Sequence, residues 1–187
     1  MMKTALLIVD FQNDYFPSFE GAKFPLVGTE AAAEQGAKLL NLFRGKNLPV
    51  FHVRHVFAGE NAPFFEENSE GVKFYPAFEP KAGEAVITKH EINSFRGTTD
   101  LHAQLQEQGI ERLLIIGAMS HMCIDAATRA AADLGYRCHV AHDACATRDL
   151  EFNGKTVPAA DVHAAYMSAL AFAYANVDTA DKLAELV

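Results

Sequence analysis

Three residues of this chain have side chains able to act together in covalent chemistry, and each follows a short apolar run. Asp10 closes Leu7-Ile8-Val9, Lys89 follows Ala85-Val86-Ile87-Thr88, and Cys123 lies in Gly117-Ala118-Met119-Ser120-His121-Met122-Cys123, between an apolar run and an alanine-rich stretch. A carboxylate at the end of a core strand is costly to bury without a partner. Its other reading is a helix cap or a loop hydrogen bond. A lysine at a strand end is more often solvated than catalytic, so Lys89 gains meaning only beside the other two. A cysteine at a helix N-terminus sits where negative charge is stabilised and the thiol pKa is lowered, so Cys123 is expected to be a thiolate. Cys138, within a strand, reads as packing, and Cys145 reads as a loop residue without such support.

The elements that must position these residues are short apolar runs alternating with longer amphipathic ones. Strands are expected at Ala5 to Val9, Val50 to Val56, Ala85 to Thr88, Leu113 to Ile116 and Cys138 to Ala141. The first helix is expected from Thr29 to Phe43, where Ala33, Ala37, Leu40 and Phe43 recur at helical spacing and Gly45 supplies a stop. Asp100 is expected to cap a second helix ending near Gly109. A third begins about Cys123 and ends before Gly135, a fourth spans Ala159 to Ala175, and Thr179 opens a short last one. Strands buried on both faces and separated by helices predict a doubly wound, three-layer α/β/α fold. In such sheets ligands collect outside the carboxyl ends of the strands, where Asp10, Lys89 and Cys123 all fall. Residues 57–83 have no steady period and hold Phe64, Phe65, Phe74, Tyr75 and Phe78, the pattern of a lid, a binding loop or an oligomer contact.

Composition narrows the partners. The 187 residues, half of them apolar, suffice for one core, so a single domain over 1–187 is expected. The formal net charge of −8 argues against nucleic acid and anionic membrane, and no Lys/Arg cluster offsets it. The start, Met1 to Val9, lacks a small-residue cleavage site and reads as a first core strand. No apolar stretch reaches the roughly 20 residues that span a bilayer. A cytoplasmic location is therefore expected. Three cysteines cannot all pair and none forms Cys-x-x-Cys, so free thiols are expected.

Leu-Ile-Val-Asp-Phe-Gln-Asn-Asp-Tyr-Phe at the start, then Val-Phe-His-Val-Arg-His, Lys89 with Asn93-Ser94-Phe95, and the stretch from Gly117 to Asp143 cover nearly the whole length. In them the chain resembles the isochorismatase-like cysteine hydrolases, the group that includes nicotinamidases and carbamoylsarcosine amidohydrolase. The resemblance implies a six-stranded parallel sheet of order 3-2-1-4-5-6 and an Asp10–Lys89–Cys123 triad. It also implies a non-proline cis peptide joining Ala118 to Met119, with the backbone N–H groups of Met119 and Cys123 as an oxyanion hole. The activity implied is cleavage of an amide, ureide or carbamoyl C–N bond in a small molecule through a Cys123 acyl-enzyme, without a cofactor. Isochorismatase-type vinyl ether hydrolysis and a catalytically silent binding role are the alternatives; a thiol at 123 speaks against the first and the filled triad against the second.

Nicotinamidases hold a metal through Asp-x-His at the end of the second strand. Here that segment reads Val50-Phe51-His52-Val53-Arg54-His55, with Val50 where the aspartate would be. Two histidines three apart on a strand face opposite sides, so no metal site is expected and nicotinamide is not the expected substrate. His121, Phe16, Phe19, Phe95 and the aromatic loop Phe57 to Phe78 are candidate pocket residues; core packing is the alternative for the phenylalanines and a backbone hydrogen bond for His121. Arg148 and Asp149 border either the site or a subunit contact. A homo-oligomer, dimer or tetramer, is expected, because family members assemble and the aromatic loop would otherwise expose an apolar patch.

Overall fold

β-Branched and leucine-rich segments such as Thr4–Val9 are buried on both faces, and burial of both faces is what places them at the centre of a covered sheet. The computed structural model describes residues 2–59 and 61–187; Met1 and Glu60 lie outside the described residues. Its strands and helices run β1 (Thr4–Val9), α1 (Thr29–Gly45), β2 (Val50–His55), β3 (Ala85–Lys89), α2 (Leu101–Glu107), β4 (Arg112–Ala118), α3 (Asp125–Asp133), β5 (Arg137–Ala146), β6 (Leu150–Phe152), β7 (Lys155–Val157), α4 (Ala159–Ala173), β8 (Ala175–Asp178) and α5 (Ala180–Ala184). Six strands form one sheet in the order β3-β2-β1-β4-β5-β8, every neighbouring pair parallel.

Alternation along β1 divides the core into two layers. Leu6 and Ile8 face Leu39, Leu40 and Phe43 of α1 and Leu183 of α5, whereas Leu7 and Val9 face Leu101 and Leu105 of α2, Ala131 of α3 and Leu170 of α4. The three-layer α/β/α arrangement expected from the sequence is thus present. No described helix is long and apolar enough to cross a membrane.

Several local expectations are corrected. The fourth helix ends at Ala173, and the sixth sheet strand is β8, a four-residue edge strand of sequence Ala-Asn-Val-Asp. Asn and Asp are poor strand formers, so nothing local announces it; pairing with Cys138 to Ala141 of β5 decides its state. The antiparallel β6–β7 hairpin was likewise unread. Cys145 is not in a loop: β5 runs on to Ala146, and Cys145 pairs with Gly117 of β4. Asp100 holds the cap position of α2, but its carboxylate accepts from the Gln104 side-chain amide at 2.9 Å rather than from a backbone N–H. Cys123 does not start α3; it lies in a π turn, Ser120–Ile124, that precedes it.

The long segment after β2 is not a free flap. Gln12, fully buried, donates from Nε2 to His55 O and Val72 O, both at 2.8 Å, and accepts from His55 N–H at 2.7 Å. Phe65, Phe74 and Phe78 are buried, so among its described residues this loop exposes no large apolar patch. The exposed rings lie elsewhere, Phe152 on the hairpin at 76% and Phe172 on α4 at 90%. That removes the argument for assembly drawn from the aromatic loop.

Gly117 sits beside Val9 in the β1–β4 ladder with φ +128°, and a Cβ there would lie 1.9 Å from the Val9 carbonyl oxygen. The clash is with backbone, which cannot swing away as a side chain can. Gly117→Ala should therefore cost on the order of 3 kcal/mol or more of stability. Chemical denaturation read by circular dichroism measures this; a loss below about 1 kcal/mol, ordinary for a point substitution, would contradict the reading.

Candidate active site

The parallel sheet brings three strand ends together. Asp10 follows β1 with φ +55°, a left-handed conformation that Asp adopts more readily than most residues, and its N–H donates to Val53 O at 3.0 Å. Lys89 ends β3 opposite His55 of β2, and its long side chain crosses beneath β2 toward β1. Cys123 reaches the same point from the other side of β1, in the turn after β4. That turn is tied to its surroundings through Ser120, whose hydroxyl meets His163 Nδ1 at 2.8 Å and donates to Ala146 O at 3.3 Å. The Ala118–Met119 peptide bond immediately before it is cis.

The result is a single ammonium ringed by acceptors. Lys89 Nζ lies 2.9 Å from Asp10 Oδ2, 3.2 Å from Cys123 Sγ, 3.2 Å from His55 Nδ1, 3.1 Å from Ile92 O and 3.2 Å from Glu91 O, five acceptors that share the three N–H groups of one ammonium. Asp10 and Lys89 are inaccessible to water and Cys123 is 1% exposed. Burial raises the Asp10 pKa above its ordinary value, with Lys89 and the Cys123 thiol opposing. Burial pulls Lys89 down, but its pairing with Asp10 and then with Cys123 more than restores it, and its pKa lies above the ordinary lysine value. Burial also pushes the Cys123 thiol up; Asp10 adds to the rise, and Lys89 only partly offsets it. These directions run against the expectation of a resting thiolate: burial and the neighbouring Asp10 both favour the protonated form of the Cys123 thiol. His55 is held down to about 3 by burial and then by the Lys89 charge, so it is a neutral ring.

Above Cys123 lies a cavity of about 320 Å³ lined by Tyr15, Phe24, Phe64, His121, Arg148 and Asp149 among others, with the Arg148 guanidinium 4.3 Å over the Phe24 ring. The size suits a small molecule. Of the candidate pocket residues, His121 lines the cavity, its Nδ1 paired with Thr147 Oγ1 at 2.7 Å, and Arg148 and Asp149 border it as well. Phe16 and Phe95 do not. Phe16 is buried, with its ring stacked on Tyr75 at 3.6 Å, because a 3₁₀ turn over Asn13–Tyr15 directs the preceding residue, Tyr15, to the cavity instead. Phe95 packs toward Tyr136 at 6.3 Å in the layer under α2. Phe19 packs against the α1-side core. Phe64, from the aromatic loop expected to supply pocket wall, does line the cavity, whereas Phe24, Tyr15 and His55 were missed as lining residues. Their clustering in aromatic loops was visible in the sequence, but which rings face inward depends on how those loops are tied down.

A divalent metal fits poorly here. His52 Nε2 pairs with Glu84 at 2.8 Å, while His55 turns to Lys89, so the two histidines do not share a ligand position. Among the described residues the grouping of metal-ligand type is Asp10, His55 and Cys123, with one donor atom from each within 4.8 Å of the others. The Lys89 ammonium already stands among those donors, 2.9 Å from Asp10 Oδ2 and 3.2 Å from both Cys123 Sγ and His55 Nδ1, where a second cation would be repelled.

Comparison with known proteins places the chain in a family. The sequence pattern of the isochorismatase domain matches residues 4–171. The isochorismatase family protein YddQ of Bacillus subtilis is 49% identical over 180 residues, 96% of this chain and 98% of that protein. Maleamate amidohydrolase of Pseudomonas putida is 31% identical over 159 residues, covering 78% of this chain and 73% of the relative. A crystal structure of an isochorismatase hydrolase from Oleispira antarctica superimposes with a TM-score of 0.94 at 66% identity, covering 98% of this chain and 96% of the other.

Proposed function

The chain belongs to the isochorismatase family, and from that premise we propose that it is a cysteine hydrolase of small amides, ureides or carbamoyl compounds. The observation that carries the reading is the sharing of one Lys89 ammonium by the Asp10 carboxylate and the Cys123 thiol at the floor of a small cavity. A buried cation can neutralise one anion at a time. Moving a proton from Cys123 to Asp10 transfers the negative charge from oxygen to sulfur without changing the total charge around Lys89, so a nucleophile forms on demand in a site where a free thiolate is disfavoured.

The thiolate attacks the carbonyl carbon and the oxygen takes the charge. Backbone N–H groups of Met119 and Cys123 receive that oxyanion. Asp10 returns the proton to the departing nitrogen, the C–N bond breaks, and an acyl-enzyme remains on Cys123. Asp10 then takes a proton from water as it attacks the thioester, and the thiol is regenerated. No metal takes part, since Lys89 supplies the only cation these steps use. A catalytic precedent among relatives is amide hydrolysis, as in the maleamate amidohydrolase of Pseudomonas putida.

The test is ammonia release from a panel of small amides, ureides and carbamates, with acid-quenched enzyme examined by mass spectrometry. At least one compound should release ammonia and leave an acyl mass on the peptide carrying Cys123. Prior treatment with a strong chelator should leave the rate unchanged. Turnover without any adduct under burst conditions, or a chelator-sensitive rate restored by zinc, would remove the covalent, metal-free reading.

A further inference from the structure

Asp14 is a buried carboxylate that the proposed reaction does not use. It sits in the 3₁₀ turn after β1, 1% exposed, and both its oxygens are taken by backbone. Oδ1 accepts from Lys23 N–H at 3.0 Å and Oδ2 from Phe65 N–H at 2.7 Å. Its own N–H donates to Gly71 O at 3.0 Å, and its carbonyl accepts from Phe24 N–H at 3.1 Å. One residue thus fastens three loop segments. Gly71 leaves room for the carboxylate, because a Cβ there would lie 2.1 Å from Oδ1.

Two of the segments end in cavity wall. The Phe24 and Phe64 rings stack at 4.3 Å with 28° between their planes, and Tyr15 meets Phe64 at 5.6 Å. The same segments are also joined outside by the Lys23–Glu66 ion pair, but that pair is exposed and such contacts contribute little. Charge-assisted bonds to backbone N–H groups are the stronger tie.

We propose that Asp14 is a positioning residue that fixes the Tyr15–Phe24–Phe64 wall, and that this wall selects amides whose acyl side carries a flat apolar group. The proposal rests on the hydrolase reading for its reaction. Aromatic rings held rigidly beside the nucleophile bind a planar apolar group with little ordering cost, whereas a short polar acyl chain leaves them unused. Asp14 touches no substrate; it acts through the backbone at positions 23, 24 and 65.

Benzamide and acetamide are the probes. The unsubstituted protein should favour benzamide in kcat/KM by about a hundredfold, the scale set by burying a large apolar group against a formed wall. Asp14→Asn places an NH₂ group against a backbone donor and should cut that preference about tenfold or more, with the loss in the KM for benzamide. Gly71→Ala crowds the same carboxylate from the other side and should do likewise. Phe64→Ala should remove the preference, and adding Asp14→Asn to it should change little further, because both act on one wall. Equal losses on both amides, additive effects, or no preference in the unsubstituted protein would overturn the proposal.

Because the chain has no tryptophan, Phe64→Trp gives a single reporter that needs no turnover. Its emission should respond to millimolar benzamide, and Gly71→Ala should abolish the response; a reporter indifferent to benzamide or to Gly71→Ala would overturn the proposal. If no compound of the amide, ureide and carbamate panel is cleaved, the hydrolase reading fails, and the reporter still decides whether Asp14 sets the wall.

Discussion

Cys123→Ala is expected to lower turnover of any cleaved amide by about 10⁴-fold or more, because the whole route passes through sulfur. Stability should change little, since the thiol packs at the cavity floor and Ala removes a single atom. Asp10→Asn should lower the rate by a comparable order, for a different reason. Burial and the Asp10 charge raise the Cys123 pKa, which favours a protonated thiol that needs a base. Replacing the carboxylate removes that base. It also removes one cause of the raised thiol pKa while Lys89 remains, so thiolate formation should move to lower pH. Titration of thiolate absorbance in a Cys138→Ser/Cys145→Ser background should show that movement. The pH–rate profile of the unsubstituted protein follows from the same arrangement. Asp10 accepts a proton only when ionised, its pKa is raised above 3.8, and the rate should therefore fall in acid along a limb centred above that value. Retained turnover in Cys123→Ala would remove the nucleophile assignment, and a limb at or below 3.8 would show that burial of Asp10 does not govern its ionisation.

Much of this arrangement was legible in the sequence because it is written in local terms. Asp10, Lys89 and Cys123 each follow an apolar run, and a parallel sheet brings such ends together, so the strand periodicity and the rule about carboxyl ends locate the site. What escaped was set by contacts distant in sequence. β8 is a strand because β5 pairs with it, not because Ala-Asn-Val-Asp prefers that state. Tyr15 rather than Phe16 faces the cavity because a 3₁₀ turn changes the parity that a strand would have kept. The direction of the Cys123 pKa escaped for a related reason. The helix start and the neighbouring Asp10 and Lys89 were readable from the sequence, but the near-complete burial of the thiol was not, and burial is the largest cause of its rise.

Lys89→Met is expected to destabilise the fold by about 3–5 kcal/mol at neutral pH, the scale for removing one partner of a buried ion pair. Asp10 is then left inaccessible to water, 2.9 Å from where its cation had been. The carboxyl can respond by keeping its proton, which gives the loss a defined pH dependence. Lys89 is the charge that lowers the Asp10 pKa against burial, so without it the folded-state value rises further above the unfolded one. Between those two values the folded chain binds more protons than the unfolded chain, so stability falls as pH rises and recovers as pH drops toward the unfolded-state value. Asp10→Asn/Lys89→Met removes both charges and should regain most of the lost stability at neutral pH, a coupling that two independent residues would not show. Activity should not follow stability: the double variant has a folded cavity and a thiol but neither base nor cation, and it should remain as inactive as Asp10→Asn. Thermal unfolding of the three variants across pH 5 to 8, with amide turnover measured on the same samples, separates the two roles. If Lys89→Met matches the unsubstituted protein at neutral pH, or the double variant is less stable than Lys89→Met alone, then Lys89 does not hold the Asp10 charge in the folded chain, and the exchange of that charge between Asp10 and Cys123 loses its basis.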